Sequence, residues 1–177
     1  MHRSIITVKR VLDQKIWLVN MDENKEAPKL YLDTSVYNRP FDDQSQPRIC
    51  IETLAFVSIL QMLGANEAEL ITSSVLAYEN SRNPFQLRRM WVNYCMRRSK
   101  YFVKVNASIK KRAIAIESGS VKSMDSLHIA CAEASNCNYF ITCDDRIIKR
   151  YKGSIKAQSP VDFILLVAER GGDDENG

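Results

Sequence analysis

The sequence predicts a three-layer α/β/α sandwich with a mainly parallel central sheet, and three observations support this fold class. Short apolar runs alternate along the chain with longer segments whose apolar residues recur at helical spacing. Several of these runs end in a carboxylate or a hydroxyl, which suits buried parallel strands that lead directly into helices. With 177 residues, of which 45% are hydrophobic, the chain is long enough to bury one core.

The first half of the chain is predicted to contain two strands and three helices. The strands cover residues 29–33 and 69–73, and the helices cover residues 48–64, 74–82 and 85–100. Pro40 and the acids beside it indicate a loop over residues 38–44, and Asn83-Pro84 ends the second helix. The faces expected to pack inward are Ile49, Thr53, Phe56, Val57, Leu60 and Leu63 in the first helix, and Leu87, Trp91, Tyr94 and Cys95 in the third.

The second half continues the same alternation of short apolar runs and helical segments. Residues 101–105 form a short strand or an extended connector, and strands are predicted over residues 139–142 and 155–158. Helices are predicted over residues 108–118, from 123 to the mid-130s, from 145 to 151 and over 160–168. Gly119 ends the first of these helices, and Pro160 lies near the start of the last, where a missing amide is harmless.

The chain divides into three predicted regions. Residues 29–170 form the α/β domain, and residues 171–177 form an acidic, Gly-rich tail that is expected to be flexible. Residues 1–28 contain two short strand-forming runs and a polar linker. That pattern fits a hairpin, a dimer-contact arm or an unordered extension, and it carries no chemistry.

Composition indicates a cytoplasmic protein without a membrane segment. No apolar run approaches the length of a membrane span, and the N-terminus lacks an uninterrupted apolar region of the signal-peptide type. The five cysteines show no paired CxxC spacing, which favours free thiols over disulfides or a zinc ribbon. Basic residues concentrate between residues 82 and 122. They fit either a solvated helix face or a phosphate-binding surface.

Four acids follow predicted strands or open predicted helices: Asp33, Glu79, Asp125 and Asp144. Because parallel strands joined by right-handed crossovers bring such positions to one edge of the sheet, we expect these carboxylates to share one cleft. A divalent cation would relieve their mutual repulsion. Oxygen ligands without a His or Cys cluster select Mg²⁺ or Mn²⁺, which indicates phosphodiester hydrolysis by a metal-activated water.

The four acidic segments LDTSVYN, SSVLAYE, SMDSLHIA and FITCDDRI, in this order, resemble the PIN domain family, especially VapC-type toxins of toxin–antitoxin pairs. The resemblance implies a Mg²⁺- or Mn²⁺-dependent ribonuclease that forms a homodimer and is neutralised by a small antitoxin. It also implies that Thr34 and Thr142 hold the acid cluster by hydrogen bonds. Asp144 fits the family's last acidic position better than Asp145, which is interpreted as a helix-start acid able to substitute.

In the resulting hypothesis, Asp33, Asp125 and Asp144 hold the first metal. Glu79 orients or deprotonates the attacking water, or helps to hold a second metal. Arg39 and Arg82 are candidates for contacts with the RNA backbone.

Two further interpretations concern the role of His128 and an alternative function for the chain. His128, on an apolar helix face, is interpreted as a core histidine without a catalytic role. The alternative function is a PIN-like RNA-binding or assembly module without useful catalysis. The acids argue against it, because a binding module has no need to gather negative charge where RNA must lie. A nucleotide-binding protein is disfavoured because the chain has no Gly-rich phosphate loop.

Overall fold

The computed structural model describes residues 26–118 and 121–172 of the chain. Within this part, residues Ala27–Leu165 form one compact unit. The strand-forming runs expected before residue 26 lie outside the described residues, as do the last five residues of the predicted acidic tail.

In the described part of the chain, five strands alternate with eight α-helices. The strands are β1 Lys29–Leu32, β2 Glu69–Ser73, β3 Tyr101–Val103, β4 Tyr139–Ile141 and β5 Lys156–Gln158. The helices are α1 Thr34–Asn38, α2 Pro47–Gly64, α3 Ser74–Arg82, α4 Gln86–Met96, α5 Ala107–Glu117, α6 Ser123–Ala134, α7 Asp145–Arg150 and α8 Pro160–Gly172. A short 3-10 helix, Arg39–Phe41, follows α1.

The central sheet has the order β3-β2-β1-β4-β5, and all of its pairings are parallel. The side chains of β1, β2 and β4 are largely buried on both faces, as in parallel sheets covered by helices on both sides. Tyr31, Ile71 and Phe140 share one core with buried residues of α5 and α6. On the other face, the ring of Tyr139 lies 5.2 Å from that of Phe163 in α8. The predicted three-layer α/β/α sandwich with a parallel sheet is confirmed.

The segment predicted as a loop after the first strand is mostly helical. The chain continues from α1 directly into the 3-10 helix, and Pro40 lies in the first turn of that helix. A proline at this position breaks no hydrogen bond, because the first amides of a helix have no partner within it. Pro40 therefore continues the helical path instead of ending it, and the loop prediction was wrong over residues 38–41.

The buried face of α2 differs from the predicted one. Its buried residues are Glu52, Ala55, Phe56 and Ile59, whereas Val57 is 44% exposed. The carboxylate of Glu52 is buried because Arg39 and Arg48 pair with it, at 2.8 Å and 2.9 Å. The pairing lets an acid lie on the buried face, beside the predicted Phe56 and the unpredicted Ala55 and Ile59, so the apolar spacing alone did not identify this face.

The buried face of α4 agrees only in part with the predicted one. In α4, Cys95 is buried as predicted and Trp91 is half-buried, but Leu87 is 74% exposed and Tyr94 is 49% exposed, and Val92 is buried in their place. In α5, Ile109, Ala113 and Ile116 are all buried.

Among the described helices, α2 alone is long and apolar enough to span a membrane by length and composition. However, Glu52 in this helix is buried and ion-paired with Arg39 and Arg48, which is typical of a helix within a folded domain.

Candidate active site

The site lies at the carboxyl ends of β1 and β4. These strands are adjacent, with Leu32 opposite Ile141, and the amide of Asp33 donates to the carbonyl of Ile141 at 2.9 Å. From β1 the chain crosses to β2 on one side, whereas β4 pairs with β1 on the other, so the topology switches here. Open parallel sheets bind their ligands at such a switch point.

Asp33 is held by two hydroxyl groups. The carboxylate is 7% exposed, and its Oδ2 accepts from Ser35 Oγ at 2.6 Å and from Thr142 Oγ1 at 2.8 Å. Asp33 occupies the N-cap position of α1 but caps no amide with its side chain. The side chain of Asp33 therefore hydrogen-bonds to other side chains of the site and does not cap α1.

Glu79, in α3, reaches the same edge of the sheet. Its Oε2 accepts from Thr34 Oγ1 and lies 2.9 Å from Nε2 of His128. Burial alone would raise the pKa of Glu79, but the hydrogen bonds from His128 and Thr34 outweigh it and lower that pKa below its ordinary value. Glu79 is therefore held as a carboxylate while 38% of its side chain stays exposed.

Asp33, Glu79 and His128 form a compact group of possible ligands. One ligand atom from each lies within 4.8 Å of the others. Within the described part of the chain, no group donates a hydrogen bond to Oδ1 of Asp33 or to Oε1 of Glu79. Each carboxylate is thus fixed through one oxygen and has the other available for a cation or a water.

Asp125 lies in the first turn of α6 and is half-buried. Burial raises its pKa above the ordinary value, and the charges of Asp33 and Asp144 raise it further. Asp125 and Asp144 are not members of the compact group that Asp33, Glu79 and His128 form. Asp125 and Asp144 also line the same small cavity, of about 30 Å³.

Asp144 caps α7 and carries its own counter-charge. Its carboxylate accepts from the amide of Arg146 at 2.8 Å and from the guanidinium of Arg146 at 2.8 Å and 3.1 Å. These bonds lower the pKa of Asp144. Asp145 instead forms a two-pronged pair with Arg48, at 2.6 Å and 2.7 Å. The two neighbouring acids thus have separate partners, and a cation at Asp144 would compete with Arg146.

The basic residues expected to contact RNA lie in different environments. Arg39 is 17% exposed and pairs with Glu52 and Asp42, whereas Arg82 is exposed in the last turn of α3. Lys122, Arg146 and Arg150 are the basic residues that line the small cavity with Asp125 and Asp144.

Sequence reasoning missed three side chains of this site. Ser35 belongs to the same D-T-S segment as Asp33, and that segment was the available signal. Arg146 lies two residues after Asp144, and this spacing allows its guanidinium to reach back to the carboxylate at the N-cap of α7. His128 is fully buried, as predicted, but it also bonds to Glu79. Its apolar neighbours gave no sign of this contact, which spans 49 residues.

Comparison with known proteins finds both a family and a fold. A sequence model of the PIN domain family matches residues 30–153, a span that includes all four predicted acids. Twelve chains of solved structure also match. One is a chain in the crystal structure of VapBC2 from Rickettsia felis bound to a DNA fragment from their promoter. It is 13% identical, the match covers 74% of this chain and 98% of that chain, and the TM-score is 0.52. No curated protein sequence matches significantly.

Proposed function

Because this chain belongs to the PIN domain family, we propose that it is a divalent-cation-dependent endoribonuclease with its active centre at Asp33, Glu79, Asp125 and Asp144. One observation carries the proposal. The carboxylates of Asp33 and Glu79 converge at the switch point of the sheet, and each keeps one oxygen without a protein donor among the described residues.

The donor set fits a hard cation. Carboxylate oxygens predominate, and the described residues place no cysteine among the possible ligands, so Mg²⁺ or Mn²⁺ suits the site better than a soft metal. Asp33, Asp125 and Asp144 would hold the first cation, and Glu79 would border it. When bound, such a cation neutralises the carboxylates and supplies a Lewis acid for phosphodiester hydrolysis.

The protein's own groups position the reactants. Ser35 and Thr142 fix Asp33, and Thr34 fixes Glu79, in each case through one carboxylate oxygen. Oε1 of Glu79 is the group we assign to orient the attacking water or to take its proton. No imidazole is required as the base in this assignment.

Basic groups beside the acids would bind the RNA backbone. Lys122, Arg146 and Arg150 border the cavity that Asp125 and Asp144 line, and phosphate contacts of this kind position RNA without reading its sequence. The exposed Arg82 stays a candidate contact further out. The ion pairs of Arg39 instead favour a role in holding α2.

We propose further that the chain is the toxin of a toxin–antitoxin pair. The similar fold in the R. felis VapBC2 structure supports this. The proposal includes a homodimer, a small antitoxin partner and action in the cytoplasm. The alternative, a PIN-like RNA-binding or assembly module, is disfavoured by the clustered acids, which would repel RNA unless a cation neutralised them.

The decisive experiment is cleavage by the purified chain of a structured RNA and of a matched single-stranded DNA. Each reaction is run with Mg²⁺, with Mn²⁺ and with EDTA, for the wild type and for Asp33→Asn. We expect metal-dependent cleavage of RNA by the wild type. The variant should be slower by at least about 100-fold, because an amide is a poorer cation ligand than a carboxylate. Induced expression should arrest growth with the wild type alone.

Asp43→Asn is the matched control, since Asp43 is an exposed acid whose hydrogen bonds are all with Ser45 and Gln46. It should cleave RNA as the wild type does. Equal cleavage by the wild type and Asp33→Asn, or none with either metal, would favour the RNA-binding module. Cleavage of the DNA alone would support a nuclease activity but would show that RNA is not the substrate.

A further inference from the structure

A row of buried polar side chains leads to the candidate active site from inside the core. Tyr31 Oη lies 2.5 Å from Ser73 Oγ and 2.8 Å from His128 Nδ1, and His128 Nε2 lies 2.9 Å from Glu79 Oε2. Ser73, Tyr31 and His128 are fully buried. We call these four residues, from Ser73 to Glu79, the hydrogen-bond relay.

The N-terminus of α3 fixes the direction of the relay. Ser73 Oγ accepts from the amides of Val75 and Leu76, both at 3.2 Å. These two bonds occupy the lone pairs of the hydroxyl oxygen, so its proton is available to donate, and both Tyr31 and the Cys131 thiol lie beside it. When Ser73 donates to Tyr31, the Tyr31 proton is left for Nδ1 of His128. With Nδ1 accepting, the imidazole proton lies on Nε2, where it can donate to Glu79.

We propose that His128 is a positioning residue for Glu79, set in its Nε2–H tautomer by Tyr31 and Ser73, and that it is not a cation ligand. This inference rests on the proposed function of the site. Nε2 lies close enough to Asp33 and Glu79 to join a cation, but a protonated nitrogen has no lone pair to offer. The bond instead fixes Oε2 of Glu79 and leaves Oε1 for the cation or the attacking water.

Two features make this arrangement effective. Thr34 donates to the same oxygen of Glu79 as His128 does, so one oxygen takes both protein bonds. The imidazole ring has little freedom, because it is fully buried and meets the ring of Tyr31 edge-on at 5.8 Å. Groups that orient a cation ligand in this way commonly change metal affinity or activity by about 10- to 100-fold when they are removed.

Nitrogen NMR of the imidazole tests the relay without any activity. The chain has two histidines, His2 and His128, so His2→Ala leaves one imidazole to assign. In the metal-free protein we expect a protonated Nε2 and an unprotonated Nδ1 at His128, and we expect Nε2 to keep its proton at saturating Mg²⁺. A proton on Nδ1 in the metal-free protein, or loss of the Nε2 proton when Mg²⁺ binds, would overturn the proposal.

Two tyrosine variants isolate the bond to Nδ1. Tyr31→Phe should shift the Nδ1 resonance, because that nitrogen loses its hydrogen-bond donor. Tyr37→Phe is the matched control, since the hydroxyl of Tyr37 is also buried but has no hydrogen-bond partner among the described residues. It should leave the imidazole spectrum unchanged. Equal spectra for Tyr31→Phe and the wild type would contradict the relay.

Two His128 variants test positioning through Mn²⁺ affinity, measured by calorimetry. His128→Gln keeps an N–H group able to reach Glu79 and should stay within about 3-fold of the wild type, whereas His128→Leu should lose about 10-fold or more. RNA cleavage should follow the same order.

Equal losses in both variants, with cleavage still dependent on Asp33, would overturn the positioning role alone. A wild type with the expected tautomer that neither binds Mn²⁺ nor cleaves RNA would overturn the proposed function, and with it the role of His128 toward the cation.

Discussion

The Asp125 carboxylate lies in an environment that disfavours its charge. Burial and repulsion from Asp33 and Asp144 raise its pKa in the folded protein. A carboxyl group with a raised folded pKa lowers the stability as pH rises from its unfolded pKa, about 3.9, through the folded value. At neutral pH without metal, the charged Asp125 therefore costs stability, and a bound cation should remove that cost.

We expect Asp125→Asn to raise the midpoint of thermal unfolding in EDTA by about 2–4 °C, which corresponds to about 1 kcal/mol. The charge also gains about 0.5 kcal/mol from the dipole of α6, which we expect the repulsions and burial to exceed. Melting curves with EDTA and with Mn²⁺ measure both effects, and Mn²⁺ should stabilise the wild type more than the variant. A lower midpoint in EDTA, or an unchanged response to Mn²⁺, would contradict this prediction. Asp43→Asn should respond to Mn²⁺ as the wild type does.

Individual residues differ in how far sequence can predict their role. Asp33 and Thr142 follow strands directly, so their convergence depends only on a parallel sheet. His128 bonds to Glu79 through a contact between α6 and α3, and no spacing rule links those helices. Asp144 was predicted as a candidate ligand, but its pairing with Arg146 depends on a rotamer choice at the start of α7.

Among the elements, α6 is joined to two others through Glu133. Its carboxylate accepts from Arg112 of α5 at 2.5 Å and 2.8 Å, and from Tyr151, just after α7, at 2.5 Å. Burial alone would raise the pKa of Glu133, but the bonds from Arg112 and Tyr151 outweigh it and lower that pKa. A lowered folded pKa means that this stability is present above the unfolded pKa and is lost as pH falls through the folded value.

Glu133→Gln should therefore destabilise the protein by about 1–2 kcal/mol at pH 7, and the difference from the wild type should shrink below about pH 4. The exposure of Arg112, 47%, keeps the expected effect at this modest size. Urea unfolding at several pH values measures it. Glu117→Gln, at an exposed glutamate of α5, is the control and should show little change. A constant difference across the pH range would show that packing, and not charge, is responsible.

The elements themselves were predicted more accurately than the directions in which they face. Strand and helix order followed from periodicity, but α2 carries apolar residues on several sides, including the exposed Ile51 and Leu54. Its buried side includes Glu52, whose partner Arg39 lies outside the helix. An ion pair between elements leaves no period in the sequence, so the hydrophobic pattern alone could not orient this helix.

At the scale of the whole molecule, alternation of strands and helices predicted the parallel sheet but not its strand order. The order places β1 between β2 and β4, which brings Asp33 to the switch point. Local patterns cannot fix this order, because each strand would satisfy its backbone equally well beside another neighbour. The position of the acid cluster is thus a property of the topology, which the sequence limits without specifying.

The same topology predicts that residues Ala27–Leu165 contain what the fold and the site require. The five described strands and the four acids lie within this compact unit, and its backbone is paired from its second residue onward, since the amide of Glu69 donates to the carbonyl of Pro28 at 2.9 Å. We therefore expect a chain of residues 27–177 to unfold cooperatively. It should also retain Asp33-dependent cleavage of RNA within about 3-fold of the full chain, because the four proposed acids and the hydroxyl groups that hold Asp33 and Glu79 all lie in this unit. Circular dichroism melts and the cleavage assay, run beside the full chain, measure both properties.

Loss of the cooperative transition would assign residues 1–26 to the fold. A normal melt with lost cleavage would instead assign them to substrate binding.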